Sequence, residues 1–224
     1  MPDALGVWVC GVLGAVLFAT VAYALRDPVD AESDAVVFAG SVIGQYAGMI
    51  GLLLLISWHK GRRSLADDFG LRLHLGRDWW LVPVGFGVQI AANLALIPIS
   101  LIADKGKAAQ DVVQRLETAT GLELTLIVLS AALVAPVVEE VLFRGLLLRA
   151  LLRRLPAVPA VGLSALLFAS AHLLDPGAVL VLPGLLLVGI VSGILAVRSG
   201  DLSRPILLHV GFNVLVVVVA LGGA

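Results

Sequence analysis

About seven stretches of this sequence are each long and apolar enough to cross a bilayer: residues 5–25, 36–58, 79–102, 122–148, 157–174, 178–197 and 205–223. A hydrocarbon core of about 30 Å takes roughly 20 mostly apolar residues per helix. Lipid offers no partner to backbone N–H and C=O groups, so an open chain crosses it only as α-helix. The alternating apolar pattern of an outer-membrane barrel strand is absent. Little chain is left for a soluble domain. The expected fold is therefore all-α: a polytopic transmembrane helical bundle of about seven spans. Composition agrees, with 60% hydrophobic and 14% charged residues against about 45–50% and about 25% in soluble domains. A net charge of −1 argues against a nucleic-acid partner. The single cysteine, Cys10, argues against a disulfide framework or a thiolate zinc cluster.

The first stretch reads as a retained span rather than a signal peptide. No Lys or Arg precedes it and it is long, whereas signal peptides carry a basic start and a shorter apolar run; Ala22-Tyr23-Ala24 nevertheless resembles a cleavage site. Orientation follows from basic residues in the loops. Loops 59–78, 149–156 and 198–204 carry ten Lys and Arg, the alternate loops four. That puts the N-terminus in the cytoplasm, with the plasma membrane as the expected location. In loop 103–121, Val112, Val113 and Leu116 share a helical face, which suits a short interfacial helix or a solvated loop. Thr120-Gly-Leu-Glu123 has capping-box spacing and marks the start of the fourth span. Glycines at 40, 44 and 48, and at 189 and 193, form small-residue stripes that read as close helix packing.

Ionisable groups inside spans are few. Among sixteen acids only Glu139 and Glu140 fall there, and among fifteen basic residues only Arg144. His172, His209 and Asn213 join them. A charge at membrane depth costs at least about 2.5–3.5 kcal/mol on insertion scales, so such residues are functional candidates and tend to pair. Glu140 and Arg144 stand at i and i+4, facing each other with the favourable order. Glu139 points about 100° away and is the carboxylate left for other work. Pro136 cannot donate to the carbonyl of Ala132, so the helix is expected to bend there. His209 and Asn213, also i and i+4, can present NH donors to one point. Phe168 stands one turn before His172 and can support its imidazole. A hydrolase would use Glu139 with His172 to activate water, and His209 with Asn213 as oxyanion donors. A metal site is the competing design, with Glu139, His172 and His209 as zinc ligands and one position open. No H-E-x-x-H, G-x-S-x-G, Walker or dinucleotide motif occurs.

Glu139-Glu140-Val-Leu-Phe-Arg144 reads E-E-x-x-x-R, Phe168-Ala-Ser-Ala-His172 reads F-x-x-x-H, and His209-Val-Gly-Phe-Asn213 reads H-x-x-x-N. In this order they resemble the CPBP intramembrane protease family, also called Abi, which includes the type II CAAX prenyl endopeptidases and bacteriocin-immunity-type proteins. The resemblance covers about residues 122–216. It implies a membrane protease whose site opens within the bilayer toward the cytosol. It implies that Glu139 and His172 activate the water, that His209 and Asn213 hold the oxyanion, and that Glu140 and Arg144 position the site. Glu140 stays open as the alternative base. Members are often labelled metalloproteases, and the motifs fit metal-free glutamate catalysis equally, so the cofactor is Zn2+ or none. Residues 1–121 would form N-terminal transmembrane helices and 122–224 the catalytic region of one integrated domain. The expected partners are the lipid bilayer and a membrane-embedded or lipidated protein or peptide substrate. The alternatives are an ion-coupled transporter and a non-catalytic immunity or interaction protein. One tension remains in this reading: with the fourth span ending near residue 148, His172 falls deeper than its partners unless the fifth helix begins late or the helices tilt strongly.

Overall fold

The computed structural model describes residues 2–25, 35–100, 116, 119–174, 179 and 181–222, with only the backbone at 97–100. Nine helices are described: α1 Pro2–Ala24, α2 Ala35–Lys60, α3 Leu65–Phe69, α4 Leu75–Asp78, α5 Leu81–Ser100, α6 Gly121–Leu152, α7 Ala157–Ser170, α8 Leu182–Ser199 and α9 Ser203–Gly222. A 3-10 turn, Ala171–Leu174, extends α7. No strand occurs among the described residues. Six helices (α1, α2, α6, the extended α7, α8 and α9) are long and apolar enough to cross a membrane. The remaining expected span is α5, whose apolar part Leu81–Leu96 is roughly 24 Å long. The chain is thus an all-α, multi-pass membrane protein. The interfacial helix expected at Val112 and Val113 lies outside the described residues. Leu116 is described, buried against Ile127, Val217 and Ala220.

α1 and α2 pack along most of their length as an antiparallel pair. The glycine stripe lies in this contact: a Cβ on Gly44 would overlap the Gly14 carbonyl, and one on Gly48 the Cys10 carbonyl. Backbones that close need small residues on both faces. α6, α7, α8 and α9 form the second packed unit, and α5 lies against α8 and α9. On α8 the second stripe behaves the same way, with a Cβ on Gly193 only 2.9 Å from Val161 and one on Gly189 only 3.1 Å from Ala165.

α6 is not a uniform α-helix. It widens into π geometry at Ser130–Val134 and again at Val141–Leu148, leaving Ala135–Glu140 as α-helix between. The bend expected at Pro136 takes this form. In the first wide turn Ala135 N–H donates to Ser130 O, five residues back. The Ala131 carbonyl therefore loses its α-helical donor, and the next residue, Pro136, has no N–H to offer. Thr120 occupies the N-cap position of α6 in extended conformation, but its side chain makes no capping bond.

The basic connector between α2 and α5, expected as a loop, folds into α3 and α4 and turns back on the bundle. Asp68 accepts from Ser57 Oγ at 2.5 Å and Arg62 N at 2.8 Å, tying the connector to α2. Phe69 is buried in the main core. Gly70 adopts a left-handed φ of 76°; a Cβ there would also collide with the Arg149 guanidinium. The Gly70 carbonyl accepts from Leu202 N at 2.9 Å, and Arg149 Nη2 donates to Gly200 O at 2.9 Å. The three basic loops therefore meet at one end of the bundle. Trp58, Trp79 and Trp80, all exposed, are carried at the α2–α5 turn of that same end, as in an interfacial aromatic belt.

Candidate active site

The polar residues of α6, α7 and α9 converge about half-way along α6. Glu140 and Arg144 form the expected pair, Oε1 to Nη1 at 3.1 Å, with both side chains wholly buried. Arg144 Nη2 also donates to Gly189 O on α8 at 3.0 Å, and its guanidinium lies over the Phe168 ring at 4.6 Å. His209 Nδ1 stands 3.0 Å from the same Glu140 Oε1. A carboxylate only accepts, so the Nδ1 hydrogen belongs to this contact. Its other nitrogen, Nε2, then faces Glu139 Oε2 at 3.8 Å, too long for a hydrogen bond. One imidazole thus lies between the two glutamates. Glu140 is locked from two sides, while the Glu139 side chain keeps 18% of its surface exposed.

Phe168 is the hub of the apolar side of the site. It is fully buried and meets Phe143, His172 and His209 edge-on at centroid distances of 5.2, 5.0 and 5.6 Å. His172 Nδ1 lies 3.0 Å from Phe168 O. A carbonyl has no hydrogen to give, so Nδ1 carries the proton and a neutral His172 keeps its lone pair on Nε2. The depth mismatch of the sequence reading largely disappears. α6 runs to Leu152, so Glu139 is roughly 20 Å from that end, against roughly 22 Å from Ala157 to His172.

Asn213 makes a contact that the helical spacing did not foretell. Its Nδ2 donates to Ala131 O at 2.8 Å, the carbonyl orphaned by the first π turn and Pro136. Ser164 Oγ similarly donates to Phe143 O within the second π segment, at 3.0 Å. The metal-ligand set Glu139, His172 and His209 is not assembled: among the described residues no group of three His, Cys, Asp or Glu side chains is placed to hold an ion. His209 is taken up between the glutamates, and His172 turns one nitrogen to its own helix.

Two groups at the site had no sequence signal. Tyr46 of α2 lies within electrostatic range of Glu139. Gly189, read only as a packing residue, supplies the carbonyl that holds Arg144.

A curated relative from Escherichia coli, an uncharacterized 24.3 kDa protein, is 36% identical over 89 residues, which is 39% of this chain and 41% of the relative. The chain thus spans about two fifths of the length of the relative it matches. No solved structure matches it. The segment that carries all three motifs, residues 121–215, matches a protein family, and that family is Type II CAAX prenyl endopeptidase Rce1-like.

Proposed function

We propose that this chain is an intramembrane endopeptidase that hydrolyses a peptide bond of a membrane-embedded or lipidated protein or peptide, with residues 122–224 as its catalytic region. The observation that carries the reading is the Glu139–His209–Glu140–Arg144 chain, built from two of the three motifs inside the matched segment. Glu139 is the general base. It is the carboxylate that no buried cation holds, and it keeps access to the surroundings. Glu140 and Arg144 are positioning residues that fix His209 through Nδ1. With its Nδ1 hydrogen held on Glu140, His209 presents Nε2 on the Glu139 side. That nitrogen is an acceptor in the neutral ring; once it takes up the proton that Glu139 removes from the attacking water, the imidazolium Nε2–H stabilises the oxyanion and then passes the proton to the leaving amine. His172 Nε2 is the second acceptor for the attacking water. Asn213, with one amide hydrogen on Ala131 O, has one left for the oxyanion. A low-dielectric surround strengthens each of these interactions. The basic end of the bundle faces the cytoplasm by the distribution of Lys and Arg.

The test is proteolysis by the purified full chain in bilayers, with a panel of lipidated and membrane-anchored peptides. Glu139→Ala is expected to abolish cleavage while helix content and membrane insertion stay at wild-type level. Wild-type turnover by Glu139→Ala would reject the assigned base.

A further inference from the structure

A groove of about 480 Å³ runs between α1, α6 and α7 beside the site. Its walls include Leu5 and Trp8 of α1, Leu142 and Leu147 of α6, and Leu167 and Ser170 of α7. Ser170 is the one hydroxyl in this lining, and its hydrogen is committed to Leu166 O at 2.8 Å. Past the first turn of α1, the helical backbone in the walls is paired within its own helix. Beyond the Ser170 hydroxyl oxygen the walls offer an extended peptide little to bond, and a peptide group left unpaired in an apolar slot is strongly disfavoured. The groove therefore favours an occupant that is hydrocarbon along its length.

The two ends of the groove differ. One reaches the first turn of α1, at Pro2 and Ala4. There Asp3 meets Lys60 at 2.6 Å, and the Lys60 side chain is 63% exposed. An ammonium has three donors, and Asp3 takes one. Arg62 and Arg63 follow in the same connector, both exposed, with Arg63 seated over the Trp58 ring at 4.3 Å. The other end reaches Phe143 and Ala171, the neighbours of Phe168 and His172. A slot with a cationic, tryptophan-bearing mouth and a hydrocarbon interior matches one class of molecule in a bilayer.

We propose that this groove binds one acyl chain of an anionic phospholipid, with the headgroup at Lys60, Arg62 and Arg63 and the chain end beside Phe143. The site is separate from the proteolytic reading and stands or falls on lipid contact alone.

Trp8 is a built-in reporter. The full chain carrying Trp58→Phe, Trp79→Phe and Trp80→Phe leaves it as the sole tryptophan. This protein is reconstituted in phosphatidylcholine vesicles containing increasing fractions of brominated-chain phosphatidylglycerol, or of brominated-chain phosphatidylcholine as control. Trp8 quenching is expected to saturate with phosphatidylglycerol and to show about fivefold preference for it per cation engaged, from the ~1 kcal/mol that each basic side chain gains at an anionic surface. Lys60→Gln should reduce the preference about fivefold. Ser170→Phe, which fills the groove, should reduce quenching by both lipids, and the milder Ser170→Leu should do so in part. Unchanged circular dichroism and elution establish that each variant is folded. Equal quenching by both lipids, rising in proportion to their fraction, would overturn the proposal, as would a preference unaffected by Ser170→Phe and Ser170→Leu.

Discussion

Glu140, Arg144 and His209 are buried at membrane depth, and their worth to the fold is a question of balance. Desolvating two charges is offset by their attraction only when geometry is good, and removing one partner strands the other at about 3–5 kcal/mol. Arg144 has a carboxylate, a carbonyl and an aromatic face around it, so the stranded case is severe. Glu140→Leu and Arg144→Leu are each expected to destabilise by that amount. The double variant should lose less than the sum of the two, since no lone charge remains. Chemical unfolding in micelles measures all three. Full additivity would show that the pair is not coupled. Glu139 has no hydrogen-bond partner among the described residues and is partly exposed, so Glu139→Gln is expected to change stability by less than about 1 kcal/mol. That contrast separates the proposed base from its proposed supports. It was partly legible in the sequence, because i and i+4 spacing dictates the Glu140–Arg144 pair. His209, 69 residues away, was not legible as its third member. Only the relative depth of α6 and α9 decides which glutamate it meets.

At the scale of an element, α6 shows what composition conceals. Apart from Ser130, Phe143, Arg144 and Gly145, both π segments are built from the same Ala, Val and Leu residues that make ordinary transmembrane helix, and the apolar pattern does not announce them. Pro136 alone gave notice, and it placed a bend without its form. Once the wide turn is seen, Asn213 has a physical reason to be there: the Ala131 carbonyl has no helical donor, and Nδ2 supplies one. Leaving a buried carbonyl unpaired costs about 1–3 kcal/mol. Asn213→Ala should cost that much in unfolding free energy, and Asn213→Asp at least as much, because a carboxylate cannot donate. Pro136→Ala returns an N–H to the turn. In the Pro136→Ala background the penalty of Asn213→Ala should therefore shrink, with a coupling of about 0.5–3 kcal/mol. Equal penalties in both backgrounds would detach Asn213 from the helix break. π segments recur at functional sites, and here two of them bracket the Glu139–Glu140 step.

Across the whole molecule, the connector between α2 and α5 decides how the halves of the bundle are registered. The sequence presented it as a basic cytoplasmic loop because Lys and Arg dominate its count; the signal that it folds back was a handful of apolar residues, with Leu65, Phe69 and Leu71 packing on the core, too few to set a clear period. Its acids do the joining. Asp78 is fully buried and accepts from Arg77 Nη2 at 2.7 Å and from Arg204 Nε at 3.2 Å, fixing α4 to the first turn of α9. The hydrogen bonds from Arg77, then those from Ser203 and Arg204, hold the Asp78 carboxyl well below the ordinary carboxylate range, with burial opposing them. Asp68 is held low as well, first by the Ser57 hydroxyl and then by the Arg62 backbone N–H. A carboxyl depressed in the folded state contributes stability that is complete above its unfolded value of about 3.9. That contribution is lost as pH falls through the lower, folded value. Asp78→Asn should therefore lower the unfolding temperature at pH 7, and the gap from wild type should narrow steadily below about pH 4. A gap constant with pH would mean that Asp78 acts through shape rather than charge. The same joint carries α9, and with it His209, into register with Glu140, so at neutral pH Asp78→Asn should also disturb the site from a distance.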